Sequence, residues 1–210
     1  MGNLYVYGRP SGPMSPSSPL ATADTKGRVR LAMWTDALAA HRAGRVRVTE
    51  ARAADFVGPQ VPGAASHLSR QLPSLQKGRR AWVVGDPDVA RSWGYLPDVA
   101  ATLATLGTDD RALGRAWHVP SAPPRSQRQA ITDLAEALGV PPVPVTGIAW
   151  PVLRAVGLAV PMMREVVAVR HQFDQEFVTD ATATTATFGL AATPWHEVVR
   201  ATVAGVPVTA

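Results

Sequence analysis

Hydrophobic and polar positions follow two periods along this chain of 210 residues. Short apolar runs closed by glycine or proline predict strands, and longer stretches with apolar residues every three to four positions predict helices. Leu4–Tyr7 is apolar and aromatic and is closed by Gly8, which predicts a strand. Arg9–Leu20 is rich in Pro, Ser and Gly and predicts a loop. A helix is predicted from about Ala23. Val29, Met33, Ala37 and His41 form its apolar stripe, Trp34 and Leu38 widen it, and Gly44 ends it.

The pattern then repeats. Val46, Val48 and the residues around Thr49 predict a strand that "ADFVGP" closes with a Gly-Pro turn. His67–Gln76 predicts a short helix interrupted at Pro73. "RAWVVGDPD" predicts a strand and a tight turn. "GYLPDVAATLATLG" predicts a helix opened by Pro97 and Asp98, with Asp98 capping it or complementing its dipole. "GRAWHVP" and Val143–Thr146 predict further strands. Ser126 is placed to cap a helix over Gln127–Leu138, and Ala149–Val156 and Met162–Gln172 predict two more. "TDATATTAT" (Thr179–Thr187) predicts an extended loop. "TPWHEVVRATVAG" predicts a last helix with Thr193 as its cap.

Strands alternating with helices place the chain in the α/β class. The second half is cut into shorter pieces by proline, which suggests a smaller lobe attached to a sheet. The balance of charge is +5, and only Lys26 and Lys77 of the 21 basic residues are lysine. The arginines are spread along the chain rather than clustered. They predict a solvated surface with some contacts to phosphate or other anions, not a nucleic-acid interface. Cysteine is absent, which excludes disulfides and thiolate chemistry. The histidines lack metal-ligand spacing, so no metal site is expected. The longest uncharged stretch, Val140–Leu153, carries four prolines and is too short to span a bilayer, so no membrane partner and a cytoplasmic location are expected.

Seven landmarks in order then carry a family resemblance. They are "YVYG" (Tyr5–Gly8), "TKGRVR" (Thr25–Arg30), "RAADFVGP" (Arg52–Pro59), "GYLPDVA" (Gly94–Ala100), "GRAWHVP" (Gly114–Pro120), "REVV" (Arg164–Val167) and "FGLAATPWHE" (Phe188–Glu197). In these the chain resembles the extended short-chain dehydrogenase/reductases, the NAD-dependent epimerase/dehydratase group, from Asn3 to about Arg200. The resemblance implies late strands of a parallel Rossmann-type sheet with a smaller C-terminal substrate-binding lobe. Residues 1–60 would be the sheet remnant, and residues 61–210 the lobe with interleaved late strands. It further implies NAD or NADP as cofactor and a small hydroxyl- or keto-bearing substrate.

Two departures accompany the resemblance. The family's glycine-rich phosphate turn has no counterpart, since Gly8 and Gly12 sit in a proline loop. The chain is therefore expected to be the C-terminal part of a family member, to bind nicotinamide weakly alone, and to self-associate through an exposed edge at Leu4–Tyr7. The second departure is chemical. Lys26 matches the catalytic lysine, but Thr22 stands four residues before it where the family has tyrosine. Asn3 falls at the position of the Ser or Thr that polarises the substrate oxygen. The resemblance assigns Phe56, Val57, Gly58 and Pro59 to a turn against the nicotinamide. It assigns Arg91 to a substrate diphosphate and His67 to the substrate lobe. A solvated loop arginine and a capping histidine remain open for the last two, and core packing for Tyr5 and Tyr7. The residues thus allow an enzyme, or a non-catalytic binding or regulatory protein that keeps the fold.

Overall fold

The computed structural model describes residues 1–205. Its strands are β1 (Gly2–Asn3), β2 (Glu50–Ala53), β3 (Asp55–Val57), β4 (Ala81–Val84), β5 (Trp93–Tyr95), β6 (Ala116–His118) and β7 (Val145–Ile148). Its helices are α1 (Thr25–Arg42), α2 (Leu72–Gln76), α3 (Leu96–Thr108), α4 (Gln127–Ala137), α5 (Trp150–Ala159), α6 (Pro161–Ala168), α7 (His171–Asp174), α8 (Thr182–Phe188) and α9 (Trp195–Ala204). Three small sheets form, ordered β1-β2-β6, β3-β5 and β4-β7. Every pairing is parallel, with Asn3 opposite Ala53 and Arg52 opposite His118. Parallel pairing needs crossovers, and the helices between strands supply them. The α/β class and the parallel sheet expected from the sequence are those of the fold.

Burial assembles three cores. Leu75, Ile131, Leu134, Trp195 and Val198 pack around β4 and β7. Ala51, Val99, Leu106, Trp117 and Val119 pack around β2 and β6. Leu4, Val6, Tyr7, Met14 and Phe177 form the third, at the start of the chain. Ser126 makes the expected cap on α4 as a full capping box with Gln129.

Several elements differ from the sequence reading. Leu4–Tyr7 is a turn of 3₁₀ helix, not a strand. The Asn3 side chain accepts the Tyr5 N–H at 3.1 Å, and the Gly8 N–H closes onto the Tyr5 carbonyl, so the backbone curls after only two strand residues. The sheet edge is therefore Gly2–Asn3, while Leu4, Val6 and Tyr7 are buried. The strand expected at Val46–Thr49 begins at Glu50, because the buried run is Ala51–Ala54, with Arg52 hidden inside it. The "ADFVGP" segment starts a second strand, β3, before its turn.

The buried face of α1 is also shifted. Gly27 and Trp34 are buried, Leu31 and Leu38 half-buried, and Val29 and Met33 more than half exposed. Gly27 decides this. A Cβ there would lie 1.8 Å from Thr22 Oγ1 and 2.5 Å from the Tyr5 carbonyl oxygen, so α1 packs through its smallest residue.

Thr182–Phe188 is helical where an extended loop was expected. Asp180 Oδ1 accepts the Thr182 N–H at 2.8 Å, and buried Thr184 donates to the His118 carbonyl at 2.7 Å. Asp98 lies in the first turn of α3, where its charge complements the helix dipole, but it caps no helix, and neither does Thr193. The Asp98 carboxylate accepts the Thr193 N–H at 2.9 Å and its hydroxyl at 2.7 Å, tying the approach to α9 onto the first turn of α3. Pro73 lies in the first turn of α2 and opens that helix rather than interrupting it.

Candidate functional site

In open parallel sheets, ligands bind beyond the carboxyl ends of the strands. A cavity of about 220 Å³ opens there, past Asn3 of β1 and Ala53 of β2. Its polar and aromatic wall is formed by Asn3, Tyr5, Arg30, Asp55, Phe56 and Gln172. Asn3 spends its side-chain oxygen on the Tyr5 N–H, which leaves its amide N–H groups as donors. Burial, and next the Asp55 charge, push the Tyr5 phenol up to about 12. It stays protonated and can donate, but it is a poor proton shuttle near neutrality.

Gln172 is only 2% exposed and lines this cavity, and its Nε2 has no hydrogen-bond partner. A buried amide with an unused donor is costly unless a ligand or water takes it. Sequence reasoning missed it. The signal was a run of three polar residues, Arg170, His171 and Gln172, set between Val169 and Phe173.

Asp55 carries an ion pair to Arg91. Burial alone would push the Asp55 carboxyl up. Arg91 beside it more than reverses that and holds it below the usual carboxylate range. Arg91 is 1% exposed, and its guanidinium lies 4.9 Å from the Phe173 ring centre and 5.1 Å from that of Trp93. It does not line the cavity. His67 stacks edge-on against Phe173 at 5.0 Å. Burial is the main cause that pulls its pKa down to about 4, and Arg91 adds to this while Asp55 opposes it. His67 is therefore a neutral neighbour of the ion pair.

The other sequence candidates lie elsewhere. Thr22 Oγ1 donates to Asp24 Oδ2 at 3.1 Å, and Asp24 Oδ1 accepts the Gly27 N–H at 2.8 Å, so Thr22 belongs to the capping of α1. Lys26 is half-buried on the first turn of α1 and is not part of the cavity wall. Val57 is fully buried. Gly58, at φ +141°, lines a different recess with Val61 and Leu72, and Pro59 follows it in the same turn. The structure thus brings Asn3 and Phe56 together, with Asp55 linking them to Arg91 and His67. Of the residues assigned to nicotinamide, only Phe56 lines the cavity. Lys26, Val57, Gly58 and Pro59 do not complete a seat around it.

Under the sheet lies a second polar group. Arg52, 1% exposed, donates from Nε to Glu50 at 2.7 Å and from Nη1 to the Tyr7 hydroxyl at 2.7 Å. That hydroxyl lies 2.7 Å from His118 Nε2, and His118 Nδ1 lies 3.1 Å from the Asp180 carbonyl. Arginine can only donate, so the Tyr7 proton goes to Nε2, and the His118 proton sits on Nδ1. Burial first, then Arg52, lowers the His118 pKa to about 4. This group holds β2, β6 and the first turn together, with Arg52 Nη2 left buried and unpartnered.

Comparison with known proteins agrees with this architecture. No family model and no curated protein matches the chain. Among solved structures, it is similar to a dTDP-glucose 4,6-dehydratase from Bacillus anthracis in complex with NAD. Identity is 14% and the TM-score 0.74, over 96% of this chain and 58% of that one. It is similar to RMD from Pseudomonas aeruginosa complexed with NADPH, at 18% identity and TM-score 0.74, over 97% and 63%. It is also similar to a UDP-glucose 4-epimerase from Thermotoga maritima with UDP-glucose, at 14% identity and TM-score 0.76, over 96% and 60%. The chain spans about three fifths of the length of these structures. Its fold is the Rossmann-type fold of these epimerases and dehydratases, as the sequence landmarks implied.

Proposed function

We propose that the chain is the substrate-binding part of a nicotinamide-dependent protein of the epimerase, dehydratase or reductase kind, acting on a hydroxyl- or keto-bearing small molecule. The observation that carries this reading is the cavity past β1 and β2, whose wall brings Asn3, Tyr5 and Gln172 together with Asp55 and Arg30. Amide, phenol and carboxylate groups together suit a small ligand that carries hydroxyl or carbonyl oxygens. Nicotinamide, when bound, would exchange a hydride with the substrate, and Phe56 would lie on its side of the cavity. The chain's own residues orient the oxygen and hold its hydrogen bonds. The proposed division into a sheet remnant (1–60) and a lobe (61–210) fits this role, since the cavity draws on both.

One observation favours a second reading, a non-catalytic binding protein. Thr22 offers a hydroxyl already committed to Asp24, in place of a phenol. The two readings separate in one experiment. A panel of hydroxyl and keto compounds is titrated with and without NAD(P), while binding and nicotinamide absorbance are followed. Turnover that disappears in Asn3→Leu supports the first reading. Binding that Gln172→Leu weakens, without turnover, supports the second. Neither binding nor turnover overturns both.

A further inference from the structure

The landmark Thr25–Arg30 ends on a residue to which the resemblance gives no role. Arg30 is exposed and lines the cavity past β1 and β2. It makes no hydrogen bond or ion pair among the described residues. Its neighbour Arg28 differs, since it donates to the Ala23 carbonyl and to Thr25 Oγ1 and is committed to the start of α1.

The packing of α1 explains why Arg30 stands there. A Cβ at Gly27 would lie 2.5 Å from the Tyr5 carbonyl oxygen, so α1 is fixed against the Tyr5 turn at that point. Residues three apart share a helix face, so Arg30 follows Gly27 on the same side, about one turn further along. Burial pushes the Tyr5 phenol up, and Arg30 is among the charges that oppose this, so the guanidinium acts within electrostatic reach of the hydroxyl.

The charges in the wall then decide what suits the cavity. Its charged side chains are Arg30 and Asp55. Asp55 is ionised and already paired with Arg91, which is buried and outside the wall. One positive side chain, accessible and uncompensated, is left. A guanidinium meets a carboxylate or a phosphate through a pair of parallel hydrogen bonds. One free cation beside an ionised Asp55 matches one negative charge better than the two of a phosphate. The Tyr5 hydroxyl makes no hydrogen bond among the described residues, and the Asn3 amide keeps its donors, so both remain for a hydroxyl or keto oxygen. The volume, about 220 Å³, is below the roughly 300–1,000 Å³ of pockets that take drug-sized molecules, so the ligand is small.

We propose that this cavity takes a small hydroxy or keto acid, whose carboxylate is held by Arg30 and whose hydroxyl or keto oxygen is held by Tyr5 and Asn3. This deepens the reading of the cavity as a substrate site and rests on it.

Matched pairs of probes test the charge apart from the site. Lactate is compared with propane-1,2-diol, and pyruvate with hydroxyacetone, by calorimetry on the full chain. At least one acid should bind with a Kd of about 1 mM or tighter, and at least about tenfold more tightly than its neutral mate. Arg30→Gln should bring that acid to the level of its mate, and Arg30→Lys, which keeps the charge without the fork, should restore part of the preference. Arg9→Gln removes the same charge from the wall of a different cavity and should leave the preference intact. If the neutral compounds bind as tightly as the acids, or if the preference survives in Arg30→Gln, the role of Arg30 is overturned while the substrate-site reading stands. If inorganic phosphate displaces the acid at a lower concentration than the acid itself requires, the carboxylate class is overturned. If none of the four compounds binds by about 100 mM, the substrate-site reading falls and this proposal with it.

Discussion

The buried group around His118 makes the fold sensitive to acid. Its histidine is held neutral, with a pKa of about 4 against 6.5 in an unfolded chain. The sign follows from which state takes the proton first. Between pH 6.5 and 4 the unfolded chain binds a proton at this position and the folded chain does not. Stability is therefore complete above about pH 6.5 and falls as the pH drops, by up to about 1.4 kcal/mol per pH unit. Over the whole gap this amounts to about 3 kcal/mol, a large share of the roughly 5–15 kcal/mol that holds a typical domain. The cause is local. A proton on Nε2 would turn a hydrogen-bond acceptor into a donor against a hydroxyl that already accepts from Arg52, and would add a charge beside the buried guanidinium.

Urea unfolding at steps from pH 7.5 to 4.5 measures this. His67, half-buried and also at about 4, and His171, lowered as well, contribute in the same direction. Asp55 has its carboxyl lowered and loses its contribution only below this window. The decisive comparison is therefore His118→Gln. Its stability should be lower at pH 7.5, and its dependence on pH should be shallower by about one proton. A stability that stays flat down to pH 4.5, or an unchanged slope in His118→Gln, would refute the assignment of His118 as a buried neutral acceptor.

Further outcomes follow from other positions. NAD(H) and NADP(H) should bind this chain more weakly than about 1 mM by calorimetry, because only Phe56 of the assigned residues lines the cavity; a low-micromolar Kd would show another seat. Val6→Lys should destabilise by more than about 3 kcal/mol in denaturant unfolding, since Val6 is 1% exposed; if it only raised solubility, the segment would be an open edge after all. Asp98→Ala should cost about 1–3 kcal/mol by removing both bonds to Thr193, and hydrogen exchange should rise in α9 rather than in α3.

The fold was legible where local signals and tertiary packing agree. Ser126 announced α4 because a capping box is complete within four residues. The α/β class followed from alternation, and the parallel sheet from the family resemblance. The readings that failed share a cause. The apolar residues of Leu4–Tyr7 do become buried, but the Asn3 side chain and Gly8 bend the backbone before a strand can extend. On α1 the stripe of Val29, Met33, Ala37 and His41 suggested the packing face, with only the flanking Trp34 buried, whereas the closest approach is made at Gly27. Arg52 concealed β2 because a charged residue reads as surface, and its burial depends on Tyr7 and Glu50, distant or facing partners that no window of sequence shows together.

The site was legible in a different way. Asn3 and Phe56 could be named from landmarks, since the ends of β1 and β2 fix where they stand. Arg91 could be named but not understood. As a sequence position it is a cation available to a phosphate; in the fold it is enclosed by two aromatic rings and paired with Asp55. Its charge is spent inside the protein, which leaves the cavity to hydrogen-bond donors rather than to a buried cation. Gln172 and His171 could not be named at all. What marks them is that each hides a polar atom from water without giving it a partner, and a missing partner is a property of the whole packed chain. Arg52, Ser69 and Arg91 hide unpartnered polar atoms as well, so this mark belongs to the packed chain and separates no residue from its neighbours in the sequence.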